Sequence, residues 1–258
     1  MKHSPLMVLA VLFFSYTVHA KVVMKEVDYK AGDTDMVGYV AYDDQATDKR
    51  PGVLVFPEWW GNNDYTKFRA QELVKLGYIA FAADMYGKGV TTDDPKQAGE
   101  WSGKVKQDAN LMRQRVEAAL AALKQQPNVD ADKLAAIGYC FGGGCAINMA
   151  RFQEPIKGVV SFHGDLSTTA PAKKVDAKLL VCAGAADPMV PPSAVETFKK
   201  EMGDAGADLK VITYPDAQHA FTNPNADSHH IDGIKYNEAA DKKSWEDMKG
   251  FLSSVLGK

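Results

Sequence analysis

Cysteine is scarce: Cys140, Cys145 and Cys182 are the only three in 258 residues. A small exported scaffold held by disulfides carries more of them, in even number. This chain must therefore be held by its core. In an oxidising compartment an odd count leaves at least one free thiol. Cys145 and Cys182 have apolar neighbours and read as buried packing residues, with a bridge between them left open. Excess charge is missing too. With 30 Lys and Arg against 33 Asp and Glu, the net charge is −3, and no basic patch stands out, which argues against a nucleic-acid partner. Beyond the N-terminus no segment is apolar enough for a membrane span. There is no repeat and no low-complexity linker, and no ligand spacing suits a metal.

What is present begins with a leader. Lys2 and His3 give a short basic start, Leu6 to Phe14 is an unbroken apolar run, and Val18-His19-Ala20 is a small-x-small cleavage site. Residues 1–20 read as a secretory signal peptide, with an apolar run too short for a bilayer. The mature chain, 21–258, is expected to be secreted, in the periplasm, free of the membrane, and a monomer or small homo-oligomer. Its length suits a single domain with one core.

Strand-like and helix-like segments alternate along it. Val22 to Tyr29 and Met36 to Tyr42 predict a β-ribbon. Gly52 to Phe56, Tyr78 to Ala83, Leu134 to Ile137, Ile156 to Phe162 and Leu179 to Ala183 are apolar runs suited to strands covered on both faces, and Leu209 to Tyr214 is the last strand. Helices are predicted over Tyr65 to Leu76, Asp108 to Gln126, Phe141 to Phe152, Pro191 to Met202 and Asn237 to Leu256. Alternation of this kind predicts an α/β domain with a mostly parallel sheet flanked by helices. Functional groups in such sheets collect beyond the C-terminal strand ends.

Three residues stand at such ends. Leu134 to Ile137 leads into Gly138-Tyr139-Cys140-Phe141-Gly142, a nucleophile-elbow pattern with sulfur in place of oxygen. A nucleophile there sits in a strained backbone, and the flanking glycines remove side chains that would collide. The helix that follows points its N-terminus at the sulfur, which favours a thiolate. Asp187, in Gly184-Ala185-Ala186-Asp187, follows the next-to-last strand and suits a residue that orients a histidine. His219 follows the last strand and is the candidate base. The chain order nucleophile, acid, base is that of α/β-hydrolases. After Gly52 to Phe56 comes Pro57-Glu58-Trp59-Trp60-Gly61, where the amide of Trp59, with that of Phe141, would form an oxyanion hole. His163 follows a strand and could approach the site, though packing is its first reading, and Trp59, Trp60, Tyr86 and Phe221 could line an apolar pocket or pack in the core.

These segments together resemble the dienelactone hydrolase family over most of the mature chain. The likeness is carried by Pro57-Glu58-Trp59-Trp60-Gly61, Ala83-Asp84-Met85-Tyr86-Gly87, Gly138-Tyr139-Cys140-Phe141-Gly142-Gly143, Gly184-Ala185-Ala186-Asp187, His219-Ala220-Phe221, and Tyr236, Ala239-Ala240 and Trp245. It implies an α/β-hydrolase fold without a large cap domain, and for Glu58 a hydrogen bond to the resting thiol and a part in its deprotonation. It also implies a substrate-binding role at two positions where relatives acting on dienelactone carry arginines; here they are Lys88 and Asn223. Lysine does not replace arginine in bidentate carboxylate binding. The expected partner is a small ester or lactone, and this chemistry requires no cofactor. A thiol or redox protein, or a ligand-binding module on the same scaffold, is the alternative. Four residues between Cys140 and Cys145 fit a redox pair poorly.

Overall fold

The computed structural model describes residues 21–258, so the leader expected over residues 1–20 lies outside them. Strand β1 (Val22–Ala31) turns back at Gly32, whose φ of +59° suits a residue without Cβ, into β2 (Thr34–Asp43). Strands β3 (Arg50–Phe56) and β4 (Ile79–Ala82) flank helix α1 (Asp64–Lys75). Helices α2 (Pro95–Gln107) and α3 (Ala109–Lys124) precede β5 (Val129–Tyr139), α4 (Phe141–Arg151) and β6 (Gly158–Phe162). The chain closes with β7 (Lys178–Gly184), α5 (Pro192–Asp204), β8 (Leu209–Tyr214) and α6 (Glu238–Leu256).

The eight strands form one sheet in the order β1-β2-β4-β3-β5-β6-β7-β8. The β1–β2 and β2–β4 pairs are antiparallel and all others parallel. Between β6 and β7, and between β8 and α6, the chain forms only loops and one 3-10 turn (Ala226–His229), and no cap domain is inserted. Among the described residues no helix is long and apolar enough to cross a membrane.

Successive strand residues feed opposite layers. Leu54 and Phe56 pack with α3, α4 and α5, through residues such as Leu123, Ile147 and Phe198. Val53 and Val55 pack with α1 and α6, through Leu73 and Leu252. Both sheet faces are thus dry, which is why the central strands read as continuous apolar runs. Cys145 belongs to the first layer and Cys182 to the second; both are buried and free, so no bridge joins them.

Helix starts follow their caps. Asn63 accepts the Thr66 N–H at α1, and Asn237 accepts that of Ala240 at α6. Asp108, expected as a helical residue, is instead the cap of α3, accepting from Asn110 and Leu111. Helix α2 had no counterpart in the sequence reading, since its apolar face is thin: only Ala98, Ser102 and Val105 are buried. Its signal was the Asp94-Pro95 pair, a capping carboxylate followed by proline at the first helical position. Strand β5 begins earlier than its apolar run, because Val129 and Asp130 pair with Arg50 and Pro51 before a register shift that skips residues 131–133.

Leu54 has no exposed surface and touches the helical layer at the sheet centre. Leu54→Ala should cost about 2–5 kcal/mol, lowering Tm by roughly 5–15 °C in a circular-dichroism melt. An unchanged Tm would contradict this packing.

Candidate active site

The elbow between β5 and α4 is strained where the chemistry needs it. Cys140 has φ +53° and ψ −120°, outside the regions a side chain ordinarily adopts. Neighbours hold it there. Its N–H is shared between the carbonyl of Phe162 at 3.0 Å and Nδ1 of His163 at 3.1 Å. Its carbonyl accepts from Gly143 at 2.9 Å and Gly144 at 3.4 Å. A Cβ on Gly138 would run into the backbone of Gly142, and one on Gly142 into the carbonyls of Phe56 and Pro57. Both glycines are required by close backbone approach rather than by positive φ. The sulfur-bearing residue is partly exposed, unlike the other two cysteines.

Two loops bring the partners. Asp187, after β7, has a fully buried side chain; its Oδ1 accepts from the amides of Met189 at 2.8 Å and Val190 at 3.2 Å. Its Oδ2 lies 2.9 Å from Nδ1 of His219, after β8. That leaves Nε2 of His219 without a hydrogen-bond partner among the described residues, on the cavity that Cys140 also lines. Burial pulls the His219 imidazole down, but the charge of Cys140 and the bond to Asp187 outweigh it and raise the ring to about 10. Cys140 and the His219 ring share that cavity with no ordered hydrogen bond between them among the described residues, as is common in unliganded sites. Ala220, next in the chain, also has positive φ, +55°.

The loop after β3 completes the site. The N–H groups of Trp59 and Phe141 donate to no acceptor among the described residues. Phe141 is the first residue of α4, where amides have no partner within the helix. The Tyr86 hydroxyl donates to the Trp59 carbonyl at 3.0 Å, and its ring stacks on Phe141 at 5.6 Å, so Tyr86 ties the two amide-bearing segments together. Glu58 is 2% exposed. Its Oε2 accepts from Asn223 Nδ2 at 2.7 Å, and Oε1 has no partner. Burial raises its carboxyl to about 7, against the Asn223 bond and the nearby His219, which lower it. The hydrogen bond expected from Glu58 to the thiol is not the one formed; its ordered partner is Asn223.

Cys140, His219, Trp59 and Phe141 line one cavity of about 220 Å³, walled further by Met189, Val190 and Ile234, with Ser102, Lys106 and Asp165 at its rim. Lys106 and Asp165 form an ion pair at 2.9 Å. A larger open groove, about 840 Å³, runs along α5 from shared walls at Asp165, Met189 and Val190 but contains none of Cys140, Asp187 and His219. None of the five expected pocket residues is in this lining: Tyr86 packs against Trp59 and Phe141 instead, and the other four lie elsewhere. Lys88 is exposed and paired with Asp28 at 2.6 Å on β1, because the turn after Gly87 carries it over the ribbon. Phe221 is fully buried, edge-on to His163 at 5.2 Å, and belongs to the core. Trp60 stacks on His229 at 4.0 Å, outside the cavity. Asn223 is buried and serves Glu58. The rim residues Ser102 and Lys106 escaped sequence reasoning because they ride on α2. Among the described residues no cluster of His, Cys, Asp and Glu could hold a metal.

Comparison with known proteins places this geometry in context. The profile of the dienelactone hydrolase family matches residues 36–256. An uncharacterized protein of Caenorhabditis elegans is 37% identical over 152 residues, covering 56% of this chain and 94% of that one. A putative carboxymethylenebutenolidase of Salmonella typhimurium is 29% identical, covering 87% and 84% of the two chains. The crystal structure of a dienelactone hydrolase-like promiscuous phosphotriesterase from metagenomic libraries superposes with a TM-score of 0.87 at 37% identity, covering 91% of this chain and 99% of that one.

The raised Glu58 carboxyl has a thermodynamic consequence. A carboxyl at about 7 when folded, against its ordinary 4.5, favours the folded state fully below pH 4.5. That contribution is lost progressively as pH rises to about 7 and is constant above it. The change is on the order of 3 kcal/mol. Melting curves across pH 4.5–8 should therefore show wild type losing stability relative to Glu58→Gln. Parallel curves would mean that Glu58 ionises normally.

Proposed function

The chain belongs to the dienelactone hydrolase family, and on that premise we propose that it hydrolyses activated carboxylic esters, lactones or thioesters through an acyl-thiol intermediate on Cys140. The observation that carries this reading is a partly exposed thiol at a strained elbow, sharing a cavity with a histidine whose far nitrogen is held by Asp187 at 2.9 Å. In this reading His219 Nε2 takes the Cys140 proton and the thiolate attacks the carbonyl carbon. The amides of Trp59 and Phe141 bind the oxyanion. The C–O bond to the leaving group breaks, and His219 returns the proton to it. Water, deprotonated by His219, then cleaves the C–S bond and releases the acid. Glu58, held by Asn223, supplies a carboxyl that titrates near neutrality beside His219.

Sulfur narrows the substrates. A free thiol has a pKa of about 8.5, so from the tetrahedral intermediate a thiolate leaves before an ordinary alkoxide. Acylation is productive when the leaving group is an enolate, a phenolate or another thiolate. With Lys88 over β1 and Asn223 bonded to Glu58, no arginine-like clamp for a substrate carboxylate stands at those two positions. A neutral aryl or enol ester fits better. The leader read over residues 1–20 supports action outside the cytoplasm. A second reading follows from the likeness to the promiscuous phosphotriesterase: an aryl phosphotriester presents an equally good leaving group to the same thiolate.

Turnover of p-nitrophenyl acetate should exceed that of ethyl acetate by orders of magnitude and begin with a burst of nitrophenolate. Equal rates would refute the leaving-group argument. Cys140→Ala should lose about 10³-fold or more in kcat, and Cys140→Ser most of its activity. Full activity in the alanine variant would remove Cys140 as nucleophile.

A further inference from the structure

His163 was expected to be packing, and its bonds say otherwise. It follows β6, is 1% exposed, and has φ +39°, an uncommon value for a residue with a Cβ. Its Nδ1 accepts the backbone N–H of Cys140 at 3.1 Å. Its Nε2 lies 2.7 Å from Oγ1 of Thr222, three residues beyond His219. One imidazole therefore bonds to both loops that carry the reacting pair. Its ring also stands edge-on to that of His219, with centroids 5.2 Å apart.

We propose that His163 is a positioning residue that sets the spacing between Cys140 and His219 by bridging the nucleophile elbow and the histidine loop. The inference rests on the reading of those two residues as nucleophile and base.

The bridge has a single protonation pattern. Because Nδ1 accepts from an amide, Nε2 carries the hydrogen and donates to the Thr222 hydroxyl. Burial, and then the positive charge of His219, keep the imidazole well below its ordinary 6.5, so the acceptor persists at working pH. The charges acting on it are His219 and Arg69, each with its own carboxylate partner, Asp187 and Asp241. The far end of the bridge is fixed in turn. Thr222 Oγ1 lies 2.7 Å from the Tyr65 hydroxyl, and Arg69 donates to Tyr65 at 3.2 Å and to the Thr222 carbonyl at 2.6 Å. Helix α1 thus anchors the histidine loop, and His163 passes that anchor to the elbow. The Cys140 N–H keeps its bond to Phe162 if His163 is replaced, so the fold should survive while the spacing loosens.

The test uses the native protein, in which Cys145 and Cys182 are fully buried and iodoacetamide reports on Cys140. His163→Leu keeps an apolar side chain and removes both bonds. We expect its kcat on p-nitrophenyl acetate to fall about 10–100-fold with KM within about threefold, since misplacement of this kind acts on the reacting geometry. Alkylation at pH 7 should slow about tenfold, with its pH profile displaced upward. His163→Gln, whose amide oxygen and nitrogen are spaced like the two ring nitrogens, should restore both within about threefold. A folded His163→Leu with wild-type kcat and alkylation profile would overturn the proposal, as would equal impairment of the Leu and Gln variants. Should the Leu variant not fold, Thr222→Val carries the test. It keeps the side-chain shape and removes the hydroxyl, and a wild-type alkylation profile there overturns the bridge. Alkylation needs no ester substrate. A displaced profile in a protein that hydrolyses nothing would refute the hydrolase reading alone, while hydrolysis with an unmoved profile and kcat would refute only the bridge.

Discussion

The backbone of Cys140 is the constraint on which the rest depends. A residue with a Cβ at φ +53° costs about 1–3 kcal/mol and persists only where its surroundings leave no alternative. Here they leave none. The N–H is shared by two acceptors, the carbonyl is taken by two glycine amides, and Gly138 and Gly142 let β5, α4 and the β3 loop close on one another. The reward for that crowding is a sulfur lifted clear of the sheet, beside the first, unpaired amides of α4.

Around that point the protein buries its polar chemistry and satisfies it piecewise. Asp187, His219, His163 and Glu58 are each 4% exposed or less. They come from the ends of four different parallel strands, so no local stretch of chain could assemble them. Each is held by a neighbour whose own position is fixed: Asp187 by two amides, His163 by Thr222, Glu58 by Asn223, and Asn223 by the amide of Asn225. Of these four side chains, His219 Nε2 and Glu58 Oε1 are the atoms left without partners among the described residues, and both groups are raised, to about 10 and about 7. Low dielectric makes such unpaired groups costly, and a reacting molecule is what would relieve them.

Much of the frame was legible along the chain. Apolar runs marked the buried strands, and stretches of helical pattern marked five of the six α-helices. Gly-x-Cys-x-Gly, followed by Asp and then His beyond later strands, pointed to three loops that the fold does bring together at one end of the sheet. Lys88 was placed by the family likeness, and Phe221 and Trp60 were read as pocket or core; a turn, a core facing and a stacking partner put all three away from the cavity. Helix α2 went unread because its apolar face is short, with three buried residues among lysines, glutamines and glycines, though it carries two residues of the cavity lining.

The succession of strands and helices, the tight elbow and the identity of the reactive atoms follow from short-range rules: side-chain alternation, steric exclusion at a bend, and the proton affinity of sulfur. These act within a few residues, so the linear chain already contains them. Which partner Glu58 bonds, that His163 joins two loops, and which walls surround the sulfur were decided only when distant segments packed. Hydrogen bonds across separations of 59 and 165 residues depend on where whole layers come to rest, and no local pattern encodes that.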